Sequence, residues 1–114
     1  MSGITTHVLD TVRGRPAAGV KVWLARKSRD GWTDLAVASS DANGRVANLL
    51  PAQVKNPAGT YRLHFDVGAY FAAQPGGDEA FYPYIDIVFQ IRDVEHYHVP
   101  LLVSPFGYTT YRGS

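Results

Sequence analysis

Short segments in which apolar and polar residues alternate, separated by turns, recur along the whole sequence. Eleven glycines and seven prolines punctuate the chain, and the Asp-Ala-Asn-Gly loop at 41–44 is a strong turn signal, because Asn and Gly both tolerate a positive φ. Alternation with a period of two places successive side chains on opposite faces of a strand. The pattern predicts an all-β fold, a two-sheet antiparallel β-sandwich.

The predicted elements follow the chain in order, with a turn at 13–16. We expect strands at Ile4–Leu9, Val20–Arg26, Trp32–Ser39, Arg45–Val46, Thr60–Asp66, Tyr84–Arg92, His96–Val103 and Tyr108–Tyr111. The segment Gly68–Gln74 predicts one or two turns of helix, ended by the Pro-Gly-Gly at 75–77, and it is the one helix expected.

Composition narrows the class of protein. A chain of 114 residues with 46% hydrophobic residues has room for one core, so we expect a single domain over 1–114. The absence of cysteine excludes disulfides, thiolate metal sites and cysteine nucleophiles, and it suits a reducing compartment. A net charge of +1 with scattered Lys and Arg gives no indication of nucleic-acid binding.

The N-terminal segment has no basic stretch followed by an apolar core, and no apolar run approaches transmembrane length. We therefore expect a soluble cytoplasmic protein that does not bind a membrane.

The predicted strand 96–103 carries two imidazoles on the face opposite its core-facing side chains. The core-facing residues are Tyr97, Val99, Leu101 and Val103, and the opposite face has His96, His98, Pro100 and Leu102. Because proline has no N–H for a ladder hydrogen bond, we expect a bulge or locally irregular pairing beside His98.

Taken singly, the polar candidates have ordinary explanations. His7 projects opposite to the apolar residues of the first strand, as half-buried structural histidines often do, and Arg45 directly follows a turn, where surface cations are common. His64 lies among Arg62 and Asp66 on a polar strand face, so we expect it to face solvent without a functional role.

The His96-x-His98 spacing also permits a metal site. Two imidazoles at this spacing project to one side of a strand, and His7 is a possible third ligand. No cysteine or carboxylate is suitably placed to complete the set, since Asp93 and Glu95 belong to the preceding turn. We therefore favour a site without a metal. Other catalytic signatures, such as Gly-x-Ser-x-Gly or a dinucleotide fingerprint, are absent.

The last residues, Tyr111-Arg112-Gly113-Ser114, combine an aromatic ring, a guanidinium, a glycine, a hydroxyl and a carboxylate. Chain ends are commonly frayed, but a segment this rich in hydrogen-bonding groups, attached directly to a strand, is also suited to docking in a site. Composition leaves both alternatives open.

Motifs spread over nearly the whole chain resemble one known family. They are Thr-His-Val-Leu-Asp-Thr at 6–11, Gly-Arg-Pro-Ala-Ala-Gly at 14–19, Asn-Gly-Arg at 43–45, Tyr-Arg-Leu-His-Phe-Asp at 61–66, Phe-Tyr-Pro at 81–83, His-Tyr-His-Val-Pro-Leu-Leu-Val-Ser-Pro at 96–105 and Tyr-Arg-Gly-Ser at 111–114. The chain closely resembles the transthyretin-related family, specifically its 5-hydroxyisourate hydrolase branch. The final tetrapeptide looks like the hallmark of the enzyme branch, which the hormone carriers lack.

The resemblance implies a transthyretin-like sandwich with one short helix, assembled as a homotetramer with sites at the dimer–dimer interface. It implies hydrolysis of the small molecule 5-hydroxyisourate to 2-oxo-4-hydroxy-4-carboxy-5-ureidoimidazoline in urate degradation, without a metal or other cofactor. By position, His7, Arg45 and His98 match the family's catalytic residues. His7, Arg45, Tyr111, Arg112, Gly113 and Ser114 match its substrate-binding residues. His96 is adjacent and less firmly connected with the chemistry.

These residue types suit the hydrolysis of a ring amide. Histidine titrates near neutral pH, with an ordinary pKa of about 6.5, so His98 and His7 can position and deprotonate a water, in either order of roles. Arg45 offers fixed donors to a developing oxyanion. The alternatives are a non-catalytic ligand carrier on the same fold, a metallohydrolase using His7, His96 and His98, and a structural β-module.

Overall fold

A computed structural model describes residues 3–114. Over that range the chain forms nine strands and one helix: β1 (Gly3–Asp10), β2 (Arg15–Pro16), β3 (Lys21–Ser28), β4 (Gly31–Ser39), β5 (Arg45–Val46), β6 (Gly59–Phe65), α1 (Val67–Ala72), β7 (Ile85–Ile91), β8 (His96–Ser104) and β9 (Gly107–Thr110). Within these residues, no helix has the length and apolar character needed to cross a bilayer.

The strands form two sheets that pack face to face. The first sheet has the order β2-β1-β8-β9, with β5 also paired to β1, and the second has the order β4-β3-β6-β7. Alternate residues of both sheets enter a shared core, as in Tyr61, Leu63 and Phe65 of β6. The predicted all-β sandwich with one short helix is confirmed.

One strand pair differs from the antiparallel expectation. β1 lies parallel to β8 along its whole length, from Gly3 opposite His96 to Asp10 opposite Val103. On its other edge β1 pairs antiparallel with β5 and with β2. β1 is thus an interior strand of its sheet, as is β8, and the pair brings the first strand of the sequence beside one of the last.

The element boundaries agree with the predicted ones to within about two residues, which is the usual scatter of strand ends. The segment 13–16, expected only as a turn, also contributes the two-residue strand β2. α1 ends at Ala72, earlier than the predicted Gln74, and the Asp66 side chain accepts a hydrogen bond from the Ala69 N–H at its start.

A buried carboxylate fastens the end of β1 to the helix. The Asp10 side chain is fully buried and accepts hydrogen bonds from the Tyr70 hydroxyl at 2.7 Å and from the Arg13 guanidinium at 3.1 Å. Burial by itself raises the pKa of Asp10, but these bonds and those from the backbone N–H groups of Val12 and Arg13 outweigh it and lower the pKa. Burial and the bond to Asp10 raise the pKa of Tyr70 to about 12.

Asp10→Asn is expected to lower the free energy of unfolding at pH 7 by about 1–3 kcal/mol, because the buried donors lose a charged acceptor. The folded-state pKa of Asp10 is below its ordinary value of 3.8, so this stabilisation is present above that pH and lost as the pH falls through the folded-state pKa. Urea denaturation at pH 7 and pH 3 measures both. Asp34→Asn, at an exposed position of β4, is the control; an Asp10→Asn cost equal at the two pH values would contradict the assignment.

Candidate active site

The strand register gathers the predicted catalytic residues on the outer face of the first sheet. His7 of β1 lies opposite Arg45 of β5, and Thr5 of β1 lies opposite His98 of β8. Because side chains two apart on a strand share a face, Thr5 and His7 project to the same side. The predicted trio of His7, Arg45 and His98 therefore shares one surface, outside the core.

A concave site of about 380 Å³ opens on this surface, within the size range of small-molecule sites. Its lining residues are Thr5, Thr6, Asp41, Arg45, Val46, Ala47, His96, His98 and Ser114. His7 lies beside it, opposite Arg45.

His98 is held by a hydroxyl from β1. Its Nδ1 is 2.8 Å from Thr5 Oγ1, so Nε2 is the ring nitrogen left for a substrate or water. Burial lowers the pKa of His98 below its ordinary value of 6.5, and the nearby Arg45, His7 and His96 lower it further. At neutral pH His98 is therefore an uncharged imidazole that can accept a proton.

The hydrogen bond of His7 defines its tautomer. His7 Nε2 donates to the Asn43 carbonyl oxygen at 2.8 Å, and a carbonyl oxygen can only accept. The proton of neutral His7 is therefore on Nε2, and Nδ1 carries the lone pair.

The turn before Arg45 is shaped by one aspartate and one glycine. Asp41 Oδ1 accepts hydrogen bonds from the backbone N–H groups of Arg45 and Asn43, both at 2.9 Å. The bond from the Arg45 N–H is the main cause that lowers the pKa of Asp41, and the charges of Arg45 and His7 act in the same direction. Gly44 has a φ of +76°, and a Cβ there would lie 2.4 Å from the Val8 carbonyl oxygen. Asn43, by contrast, has a negative φ, since over residues 3–114 positive values occur only at glycine.

The irregular pairing expected beside His98 is a gap in the ladder between β8 and β9, with no bulge. The ladder ends at Leu101 opposite Thr110 and resumes in the same register at His98 opposite Gly113. Pro100 falls in the gap, where it has no N–H to donate, and its carbonyl oxygen accepts from the Thr110 hydroxyl at 2.8 Å.

The end of the chain is docked against His98. The Gly113 N–H donates to the His98 carbonyl oxygen at 2.8 Å. A Cβ on Gly113 would lie 2.6 Å from His98 Cδ2 and 3.2 Å from Pro100 Cγ, so only glycine fits against the imidazole without displacement. Gly113 is therefore held on β8 and not frayed, and Ser114 lines the site.

Tyr111 and Arg112 directly precede Gly113 in the sequence but lie at a different place in the structure. They border a second cleft of about 280 Å³ at the open edge of the sandwich, beside Ile87, Phe89 and Val99. The Arg112 guanidinium is 4.3 Å from the centre of the Tyr97 ring, a cation–π contact. Strand alternation turns Arg112 to the side opposite His98. Within one chain, neither Tyr111 nor Arg112 lines the site that contains His98.

The remaining histidines differ. His96 is exposed, and its Nε2 is 2.9 Å from Thr5 Oγ1. His64 lies on the outer face of the other sheet, as predicted, but it is half-buried, with Nδ1 2.6 Å from Asp86 Oδ1. Among residues 3–114, no group of three or more His, Cys, Asp or Glu side chains is arranged to hold a metal ion.

Two site residues were missed by the sequence analysis. Thr5 occupies an outward position of β1 two residues before His7, and Asp41 opens the turn that carries Arg45. The period-two pattern places Thr5 on the face of His7, but only the β1–β8 register shows that it is opposite His98.

The chain is similar to known proteins in both sequence and structure. The model of a family described as HIUase/Transthyretin matches residues 4–113. The chain is 45% identical to the 5-hydroxyisourate hydrolase of Mus musculus, covering 99% of this chain and 96% of the mouse protein. It is also 45% identical to the 5-hydroxyisourate hydrolase of Caulobacter vibrioides, over the full length of both. Among solved structures, the 5-hydroxyisourate hydrolase of Klebsiella pneumoniae has a TM-score of 0.86 at 40% identity over both whole chains. Transthyretin of Sparus aurata has a TM-score of 0.89 at 37% identity, covering 99% of this chain and 97% of that one.

Proposed function

The chain belongs to the HIUase/Transthyretin family, and from that premise we propose that it is an enzyme that hydrolyses 5-hydroxyisourate in urate degradation. The product is 2-oxo-4-hydroxy-4-carboxy-5-ureidoimidazoline. One observation carries the proposal beyond the fold: His7, Arg45 and His98 share an outer sheet face on which Gly113 packs against His98. A carrier has no need of an uncharged imidazole beside a guanidinium.

His98 is the stronger candidate for the base. Its Nε2 is free, its Nδ1 is held by Thr5, and its lowered pKa keeps it unprotonated at neutral pH. It takes a proton from water as the water attacks a ring carbonyl. His7, with its Nε2 bound to Asn43, offers the lone pair of Nδ1 to orient the same water.

Arg45 supplies the positive charge. The guanidinium stays protonated at any physiological pH and has donors of fixed geometry. It stabilises the oxyanion that forms on the attacked carbonyl, in a site that it borders together with His98. Neither step involves a metal or a cofactor.

We propose a homotetramer with sites at the dimer–dimer interface. Within the described chain, β7 pairs only with β6 and β9 only with β8, so both sheets have a free edge on the same side. Near β9, Phe81 and Phe106 are 69% and 75% exposed, and large exposed apolar groups mark interaction surfaces. For Tyr111 and Arg112, the substrate contact is proposed across such an interface.

The direct test generates 5-hydroxyisourate in situ from urate and follows its decay by ultraviolet absorbance. The proposed function requires the protein to accelerate that decay in proportion to its concentration. A rate equal to the uncatalysed one would overturn it. Tight binding of the compound without turnover would support the carrier alternative instead. The similarity to the transthyretin of Sparus aurata is the reason to test that alternative.

Gly113→Ala is expected to lower kcat/KM by about tenfold to 10²-fold, because its methyl group meets the His98 ring at 2.6 Å and small displacements of catalytic groups are costly. Steady-state kinetics measure the effect. Gly107→Ala is the matched control on β9, where a Cβ would meet only Ser104 Oγ at 3.9 Å. Light scattering on both variants checks that the mass of the assembly is unchanged. Native kinetics in Gly113→Ala would show that the tail does not support His98.

A further inference from the structure

One hydroxyl connects two imidazoles on the site face. Thr5 Oγ1 is 2.8 Å from His98 Nδ1 and 2.9 Å from His96 Nε2. A hydroxyl has a single hydrogen to donate and lone pairs to accept with. When Thr5 donates to one imidazole and accepts from the other, the tautomers of the two rings are coupled through it.

The coupling has two arrangements. In the first, Thr5 donates to His96 Nε2, His98 Nδ1 donates to Thr5, and His98 Nε2 carries a free lone pair. In the second, every hydrogen along the chain has moved by one position, so Thr5 donates to His98 Nδ1 and His98 Nε2 carries a proton. Only the first arrangement leaves His98 ready to act as a base.

The reaction itself releases a proton. Water and a ring amide give a carboxylic acid and an N–H group: the C–O bond forms, the C–N bond breaks, and the leaving nitrogen takes one proton. The acid ionises at neutral pH, so one proton passes to solvent in each turnover. In the single chain, His98 is half-buried, whereas His96 is exposed.

We infer that Thr5 and His96 form a proton path from His98 to solvent and are positioning residues for the hydrolysis, an inference that rests on the proposed function. A proton taken up at His98 Nε2 is matched by transfer of the Nδ1 proton to Thr5, of the Thr5 proton to His96 Nε2, and of the His96 Nδ1 proton to water. After the product leaves, the same transfers run in reverse as the Nε2 proton passes to solvent, which restores the first arrangement with one proton released in all. The other polar groups around the path are His7 on β1, Arg45 on β5 and Asp41 in the turn before it.

Thr5→Val tests the hydroxyl, since it replaces Oγ1 by a methyl group of similar size. We expect kcat to fall about tenfold, the worth of one hydrogen bond, with KM changed less than twofold. Thr5→Ser restores the hydroxyl and should keep at least a third of native kcat. Thr33→Val, at an exposed position of β4, is the control for the substitution. Native kcat in Thr5→Val, or a Thr5→Ser variant as slow as Thr5→Val, would overturn the inference.

His96→Ala tests whether His96 is the outlet of the path, the residue that passes the proton to solvent. We expect a similar fall of kcat in dilute buffer and recovery as imidazole buffer is added, because free imidazole can take the proton that His96 no longer carries. The native protein should not respond to imidazole. His64→Ala, on the other sheet, is the control. A His96→Ala variant that is slow and is not rescued would show that His96 acts otherwise than as an outlet.

A measurement without substrate separates this inference from the proposed function. Nitrogen-15 NMR of the imidazole rings reports which nitrogen is protonated. In the native protein, His96 and His98 should show linked tautomers, and Thr5→Val should uncouple them. Absence of turnover in the native protein would refute the hydrolase while leaving this result to stand. Unchanged ring nitrogen shifts of His98 in Thr5→Val would refute the coupling, whatever the activity.

Discussion

Replacement of His98 by alanine is expected to lower kcat for 5-hydroxyisourate by about 10²–10⁴-fold, the usual contribution of a positioned general base. The variant loses the one imidazole that combines a free Nε2, a hydroxyl partner at 2.8 Å and a pKa below the ordinary 6.5. The fold should be retained, because the strand pairs with β1 and Gly113 through its backbone. The measurement is steady-state turnover with substrate made from urate in situ.

The matched control for this change is His64→Ala, which removes another half-buried, hydrogen-bonded imidazole from the opposite sheet. It should leave kcat at the native level. The native enzyme should also lose kcat on acidification with a midpoint below pH 6.5, because the base is inactive once protonated. Turnover of His98→Ala within threefold of native would transfer the role of base to His7.

Arg45→Met is expected to lower kcat/KM by about 10²–10³-fold, the loss measured when one group that stabilises an oxyanion is removed. Methionine keeps much of the length of the side chain and removes the charge. Arg45 is exposed and follows a turn held by Asp41 through the backbone, so the free energy of unfolding should change little. Kinetics and urea denaturation of the same samples measure both quantities.

Arg45→Lys shows whether a positive charge alone is sufficient to stabilise the oxyanion. Lysine retains the charge but not the planar fork of donors, so an intermediate kcat/KM is expected. Arg29→Met, at an exposed position between β3 and β4, controls for the loss of one surface cation. If Arg45→Met bound substrate poorly but turned it over at the native kcat, Arg45 would serve binding and not the transition state.

The local sequence pattern was sufficient to predict the strands and which of their side chains face the core. The alternation in 96–103 predicted that Tyr97 and Val99 enter the core and that His98 faces outward, and the buried and exposed residues of β8 agree. The absent N–H of Pro100 predicted the interruption of pairing beside His98. These features depend on side-chain period and on the chemistry of single residues, which any sequence displays.

Pairing between distant segments was not accessible in the same way. The period-two pattern of β1 does not indicate that its neighbour is parallel and close to the end of the sequence. The hydrogen-bond contact between Thr5 and His98 could therefore not be predicted. Asp10 is in phase with the core-facing residues of β1, but the burial of its carboxylate depends on donors from Tyr70 and Arg13, which lie outside the strand. Arg112 points away from the histidines because the pairing of β8 with the tail resumes in the same register after the gap at Pro100. The sequence of the tail does not show that register.

The parallel pairing of β1 with β8 has a consequence for biosynthesis. The contacts of Thr5 with His98 span 93 residues of chain, so the site cannot form until β8 has left the ribosome. Until then, one edge of β1 lacks its long partner, and such open edges favour aggregation of nascent chains. The first sheet can therefore close only after β8 has emerged and paired with β1.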